Sequence, residues 1–358
     1  MSRFLPLRVK RIERETPDAV KVTLDTEGFG DAFDFLPGQY ITFCFNLKGE
    51  DLRRAYSLCT APHENEIQVA VKEIDAGRVS VHANRTLKVG DPMQVMPPQG
   101  NFYLRTDASA QRHIVLFGAG SGITPLISIA KAVLHDEPLS RVTLFYGNKS
   151  RESIMFYREL DRLAQNSRMD VYHILTDGST GAPLFSGRIT FGKTLELLYN
   201  FVNDDLDKEY FVCGPSGMMT SVKNALNDAE IPAEKIHLEY FENPDKSATP
   251  KPTAPPVNIA EKAFGQSATV ELLLDGTSFN FEIADEKKSV LDAALAAGAD
   301  APFSCQGGVC TSCRAKLLEG SVRMDSNFAL TDQELKEGYI LTCQAHPTSA
   351  YIKVSFDD

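Results

Sequence analysis

The sequence predicts a multidomain chain of mixed class: an antiparallel β-barrel, then a doubly wound parallel sheet of α/β type, then a small α+β unit. Three observations carry this. The first third is built of short β-rich segments split by Pro and Gly turns, whereas the middle third repeats apolar strand, glycine turn and helix. A proline-rich stretch then sets both apart from the end of the chain. At 358 residues, with 43% hydrophobic and 24% charged residues, the chain has the size and composition of two or three packed units, each able to bury its own core.

Residues 1–106 hold VKVTLDT, QYITFCFNL, RRAYSLC, EIQVAVKEI and PMQVM as candidate strands, with little helix beyond RVSVHANRTL. In residues 107–242, HIVLF leads into a long helix, VTLFYG into a helix over ESIMFYRELDRLA, and EYFVCG into one over GMMTSVKNALNDAE. The turn FGAGSGITP, 117–125, follows the first of these strands. Its glycines Gly118, Gly120 and Gly122 let backbone approach a phosphate, with Thr124 the expected N-cap and Pro125 the first helical residue. IHLEYF closes this unit. NPDKSATPKPTAPPVN carries five prolines and few apolar side chains, so residues 243–262 are expected to be an extended, semi-rigid spacer. In residues 263–358, TVELLLDG and TSFNFEIA form a hairpin, SVLDAALAAG a helix and YIKVSF a closing strand.

The net charge of -11 argues against non-specific nucleic-acid binding, which needs clustered Lys and Arg to displace counterions. Residues 263–358 carry seven Lys/Arg against fourteen Asp/Glu, a net of -7, an acidic surface able to steer a basic partner protein. No run of about 18 apolar residues is present, and MSRFLPLRVK lacks the pattern of a signal peptide. The expectation is a cytoplasmic protein without a membrane segment, in which the seven cysteines are not a disulfide framework.

Cys305, Cys310 and Cys313 stand in the spacing C-x4-C-x2-C, and Cys343 follows Cys313 with 29 residues between them. This is the plant-type arrangement for a [2Fe-2S] cluster held by four thiolates. Gly307 and Gly308 are expected to let backbone N–H groups approach the sulfur atoms. The alternative is a structural zinc site, which usually shows paired C-x2-C or Cys/His sets. His346, near Cys343, reads as a surface residue.

The last unit resembles plant-type ferredoxins throughout, in the β-grasp order of hairpin, helix, cluster loop and late cysteine, which implies a one-electron carrier. RRAYSL, 53–58, and DAGRVS, 75–80, resemble the flavin motifs of the ferredoxin–NADP reductase superfamily. The resemblance implies FAD, with Arg54 on phosphate, Tyr56 packed on the isoalloxazine and Ser57 at a ring nitrogen. It extends the flavin site to Leu58, Val71 and Lys72. Gly77 with Arg78, Val79 and Ser80 reads as the pyrophosphate turn, Ser80 capping a helix that begins near Val81. In the same superfamily YGNKSRES and the triplet Cys213-Gly214-Pro215 lie at the two ends of the nicotinamide cofactor. That implies roles for Gly120, Ser121, Gly122, Thr124, Asn148, Lys149, Arg151, Cys213, Gly214 and Pro215. Lys149 and Arg151 suit a 2′-phosphate and so NADPH over NADH. Glu239 and Phe241 are expected against the flavin. With Ser57, Glu239, Thr124 and Cys213 at the hydride step, the implied activity is an oxygenase reductase. Its acceptor would be an oxygenase component of a multicomponent system: a di-iron enzyme first, a Rieske ring-hydroxylating or steroid hydroxylase second.

Overall fold

The computed structural model describes residues 4–177, 181–244 and 267–358. Most of the spacer expected over 243–262 therefore lies outside the described residues.

Six antiparallel strands form the first unit: β1 Leu5–Thr16, β2 Ala19–Asp25, β3 Tyr40–Leu47, β4 Glu50–Ser57, β5 Ile67–Lys72 and β6 Pro92–Gln99, in the order β4-β3-β6-β1-β2-β5. A bridge between Leu58 and Val69 draws the two edge strands together into a barrel. Alternate residues such as Val9, Val22, Ile41, Phe43, Val69 and Val95 fill its interior. The helix α1, Arg78–Arg85, packs Val79 and Ala83 onto that core. Its N-cap is Gly77, so Ser80 sits inside the first turn rather than capping it. The Ser80 hydroxyl instead accepts from the Ile74 N–H at 3.2 Å and donates to the Gly77 carbonyl at 3.4 Å, bracing the turn that precedes the helix.

The second unit alternates strand and helix: β7 Arg112–Ala119, α2 Ile123–Asp136, β8 Arg141–Asn148, α3 Tyr157–Leu163, β9 Met169–Leu175, α4 Phe191–Phe201, β10 Asp207–Cys213, α5 Ser216–Asp228 and β11 Ile236–Glu239. All five strands are parallel, in the order β11-β10-β7-β8-β9. The winding direction reverses between β7 and β10, and ligands of such sheets bind where it does, beyond the carboxyl ends of the strands. One face of the sheet shares a core with the barrel unit, Ile114, Leu126 and Tyr146 clustering with Ala19, Cys59, Phe102 and Leu104. Two local expectations change. Thr124 is the second residue of α2, whose N-cap is Gly122. The helix over ESIMFYRELDRLA begins only at Tyr157, because Phe156 takes left-handed backbone (φ 59°).

The third unit contains β12 Ala268–Leu274, β13 Thr277–Ile283, α6 Val290–Ala296, β14 Arg314–Glu319, β15 Val322–Met324, α7 Asp332–Lys336, β16 Tyr339–Leu341, β17 Ala345–Pro347 and β18 Tyr351–Ser355. Its main sheet runs β13-β12-β18-β14-β16, with β15 and β17 paired apart. Asp275 and Gly276, both at positive φ, make the tight hairpin turn. A capping box between Ser289 and Asp292 starts α6, which buries Val290, Leu291 and Ala294. His346 is not a surface residue: it lies on β17, 8% exposed, with Nε2 3.1 Å from the Asp325 carboxylate. No helix among the described residues is long and apolar enough to cross a membrane.

Candidate functional site

The loop ahead of β14 bends through left-handed backbone at Gln306 (φ 51°) and Gly308 (φ 75°). A side chain at Gly308 would meet the Ser326 carbonyl oxygen at 2.9 Å, so that position requires glycine. Gly307 has no protein neighbour nearer than 3.8 Å to a Cβ; its contribution is its N–H, 3.3 Å from Cys305 Sγ. Cys343 arrives from the turn after β16, tied to the loop by Thr342, whose N–H and hydroxyl both donate to the Cys313 carbonyl at 3.1 and 3.0 Å.

The four sulfurs gather as two pairs. Cys305 and Cys310 lie 3.1 Å apart, and the Cys313 and Cys343 thiols share a hydrogen bond. The hydrogen bond from Cys310 lowers the Cys305 thiol below the usual range, aided by the N–H groups of Gly307, Val309 and Cys310. Two thiolates for each of two irons is what a [2Fe-2S] cluster takes, whereas zinc gathers four ligands about one centre. The donor set fits the cluster.

Beside this loop is a cavity of about 570 Å³, within the range of small-molecule sites. Its walls come from all three units: Arg53, Arg54, Ala55 and Ser57 of β4, then Glu239, Tyr240 and Phe241 at the end of β11, then Phe303 to Gln306 with Val309 and Cys310. Ser304 is 4% exposed and its hydroxyl has no hydrogen-bond partner among the described residues. A buried orphan hydroxyl on a cavity wall marks where a bound group completes the bonding. Ser57 donates to Glu239 Oε2 at 3.3 Å, and burial pushes the Glu239 carboxyl up to about 8 against that hydrogen bond. At neutral pH this carboxyl is therefore protonated and can itself donate. Neutral donors, an arginine and the half-exposed Phe241 ring suit the polar edge and flat face of a flavin.

Tyr56 does not line this cavity. Its half-buried ring packs on Phe43 in the barrel, centroids 5.8 Å apart. Leu58, Val71 and Val79 are buried in the barrel, leaving only their backbone to a ligand. Lys72 pairs with Asp18 at 3.4 Å and Arg78 with Glu50 at 2.8 Å. The Arg54 guanidinium donates to the Arg53 carbonyl at 2.7 Å. A Cβ at Gly77 would strike Ser80 Oγ at 2.3 Å, so close approach rather than a positive φ demands glycine there.

At the switch point Gly118, Cys213 and Glu239 stand abreast on β7, β10 and β11. A Cβ at Gly122 would lie 2.2 Å from the Cys213 carbonyl oxygen, and one at Gly214 3.1 Å from the Ala119 nitrogen, so glycines hold the two sides of the crevice in contact. Gly120 takes positive φ, and its carbonyl accepts from the Tyr146 hydroxyl at 2.8 Å. Thr124 is buried and donates to the Ser121 carbonyl at 3.0 Å. Pro215 is the N-cap of α5. Burial drives the Cys213 thiol well above its usual range, so it stays protonated. At the other end of the crevice Asn148 is buried and Lys149 is exposed. Arg151 is turned onto Tyr157, its guanidinium 4.8 Å from the ring centroid and donating to the hydroxyl at 2.6 Å.

No sequence motif marks the side chains that bring the last unit to β4 and β3. The Arg53 guanidinium lies 4.1 Å over the Phe303 ring and donates to Asp300 and to the Ala301 carbonyl. Tyr40 on β3 hydrogen-bonds the cluster loop, and Asn101 donates to Glu334 Oε2 at 2.6 Å.

Fold and site define an oxidoreductase that moves electrons from a pyridine nucleotide through FAD to a [2Fe-2S] cluster. Family models agree in the same order: an oxidoreductase FAD-binding domain over residues 6–103, an oxidoreductase NAD-binding domain over 116–224 and a 2Fe-2S iron-sulfur cluster binding domain over 272–348. The chain is 38% identical to a component of the 1,2-phenylacetyl-CoA epoxidase of Escherichia coli, covering 100% of this chain and 99% of that protein. It is 33% identical to the ferredoxin reductase component of 3-ketosteroid-9-alpha-monooxygenase from Rhodococcus rhodochrous, over 99% and 97% of the two chains. Phthalate dioxygenase reductase has the same fold, with a TM-score of 0.58, 24% identity and coverage of 99% and 98%. An intact self-sufficient cytochrome P450 monooxygenase matches with a TM-score of 0.69 at 24% identity, over 98% of this chain but 41% of that longer one. The chain belongs to the family of three-domain reductase components of oxygenase systems.

Proposed function

We propose that this reductase takes electrons from NADPH in the cytoplasm and delivers them to the di-iron oxygenase of a phenylacetyl-CoA epoxidase. The observation that favours this acceptor is the 38% identity over the whole length of the Escherichia coli epoxidase component. A steroid or Rieske hydroxylase is the second reading, favoured by the 33% identity to the ketosteroid monooxygenase reductase. The proposed working units are residues 1–106 for FAD, 107–242 for the nucleotide and 263–358 for the cluster, with 243–262 between them.

When bound, FAD accepts a hydride and the cluster carries single electrons. The chain's own part is binding, orientation and exclusion of water. Arg54, Ser57, Ser304 and Phe241 would hold the flavin, and the turn at residues 77–80 its pyrophosphate. The Gly120–Gly122 turn with Thr124, Cys213 and Gly214 would orient the nicotinamide. Glu239, protonated and hydrogen-bonded to Ser57, keeps a proton beside the cavity without a negative charge that would oppose reduction there. Lys149 would meet a 2′-phosphate, and Arg151 would join it on leaving Tyr157. Cys305, Cys310, Cys313 and Cys343 would ligate the irons.

The test is reconstitution with purified oxygenase components. The proposal expects NADPH consumption coupled to epoxidation of phenylacetyl-CoA. Turnover only with a ketosteroid or ring hydroxylase would establish the second reading instead.

A further inference from the structure

Four amide donors of the cluster loop are directed at sulfur. The N–H groups of Gly307, Val309 and Cys310 are bonded to Cys305 and that of Ser312 to Cys310. The Thr311 N–H, between Cys310 and Ser312, points out of the sulfur cage to a different unit of the protein. It donates to the phenolic oxygen of Tyr40 at 3.0 Å. The Tyr40 hydroxyl also lies 3.1 Å from Thr311 Oγ1 and 3.2 Å from Ser312 Oγ, and Thr42 Oγ1 is 3.4 Å from Ser312 Oγ.

Tyr40 is placed for this and little else. It is 4% exposed, it is paired in register with Ser57 on β4, and it lines the cavity shared by Ser57, Glu239 and Cys310. Its ring is backed by Gly100, where a Cβ would come within 2.8 Å of it, so the chain leaves that position bare and the ring has one seat. The route from the cavity wall to a cluster ligand is then one aromatic ring, one hydrogen bond and the peptide unit that joins Thr311 to Cys310.

We infer that Tyr40 is the positioning residue of the flavin-to-cluster step: its hydroxyl fixes the Cys310–Thr311 segment against the flavin strand and so sets the efficiency with which an electron leaves the flavin cavity. This rests on the cavity being the flavin site. Arg53 and Asn101 also join the third unit to the barrel, but their partners at Asp300, Ala301, Ala329 and Glu334 lie outside the cluster loop. They dock the domain; Tyr40 registers the loop.

Tyr40→Phe keeps the ring and its packing and removes only the hydroxyl, leaving the part-buried Thr311 N–H without its acceptor. In the loaded protein the rate of cluster reduction is read against the rate of flavin reduction by NADPH in the same sample, so that an effect of Tyr40 on the cavity itself divides out. Reduction of the cluster from the flavin should slow roughly tenfold, about 1.4 kcal/mol. Independently of turnover, hydrogen–deuterium exchange of the Thr311 amide, read in a peptide spanning 305–313, should speed up roughly tenfold. Asn101→Ala, which loosens the same domain contact elsewhere, should change neither. Cluster reduction and Thr311 exchange within twofold of the parent in Tyr40→Phe would overturn the inference, as would equal slowing by Asn101→Ala. Loss of flavin reduction itself in Tyr40→Phe would speak against the flavin site, not against the loop contact seen by exchange.

Discussion

Gly122→Ala tests the geometry of the nucleotide crevice. The added Cβ would lie 2.2 Å from the Cys213 carbonyl oxygen, 2.5 Å from its carbon and 2.8 Å from the Gly214 nitrogen. All three atoms are backbone, so no side chain can swing aside. Either the start of α2 or the end of β10 must move by about 1 Å to restore an ordinary contact. Overpacking of this kind costs roughly 1–3 kcal/mol of stability. The functional effect is larger, because these two segments are the facing sides of the crevice, and a displacement of about 1 Å in a site that orients reactants costs roughly 10²-fold in rate. The assay is anaerobic stopped-flow bleaching of the flavin at saturating NADPH. The expected result is a loss of roughly 100-fold, with flavin and cluster absorbance and chemical reduction by dithionite retained. A variant with parental stability and a rate within twofold would refute the claim that close backbone contact at the switch point orients the nicotinamide.

Three other expectations follow from single positions. Gly308→Val puts a β-branched residue at φ 75° with its Cβ 2.9 Å from the Ser326 carbonyl, so cluster content, read by visible absorbance and iron analysis, should fall or the cluster should be lost faster to a chelator. The Glu239 carboxyl, raised from 4.5 to about 8, binds a proton in the folded state that the unfolded chain has released, so stability should fall as pH rises from about 4.5 to about 8 and level off above. Thermal unfolding midpoints should show this slope in the parent and lose it in Glu239→Gln, which should be the more stable protein at about pH 9. Lys149→Ala should raise KM for NADPH roughly tenfold and leave KM for NADH unchanged, since only one of the two carries a 2′-phosphate.

What the sequence makes legible is local. The cysteine spacing specifies the cluster because four ligands lie in one loop and one late turn, and the strand, glycine turn and helix alternation specifies the parallel sheet. Contacts between units are not legible: Tyr40 and Thr311 are 271 positions apart, and nothing in PGQY announces a partner. Helix starts differ from expectation at Ser80 and Thr124, where glycines two or three residues earlier take the cap and the hydroxyls bond inside the first turn. Tyr56 carries a signal in its strand. Alternation sets it opposite Ser57 but on the side of Arg54, and the structure shows Arg54 and Ser57 both on the cavity wall while the Tyr56 ring packs on Phe43. His346 reads as exposed from sequence because its Asp325 partner lies 21 positions earlier, on the far side of a small sheet pairing.

On the proposed function, electrons reach the four-cysteine loop only through a flavin held between β4, the end of β11 and that loop. NADPH added anaerobically to the loaded protein should bleach the flavin and then produce the paramagnetic signal of a reduced [2Fe-2S] cluster. In protein stripped of flavin but with its cluster intact, the same addition should give no cluster signal, and adding FAD back should restore it. Cluster reduction by NADPH without flavin would show that electrons reach the cluster by another route.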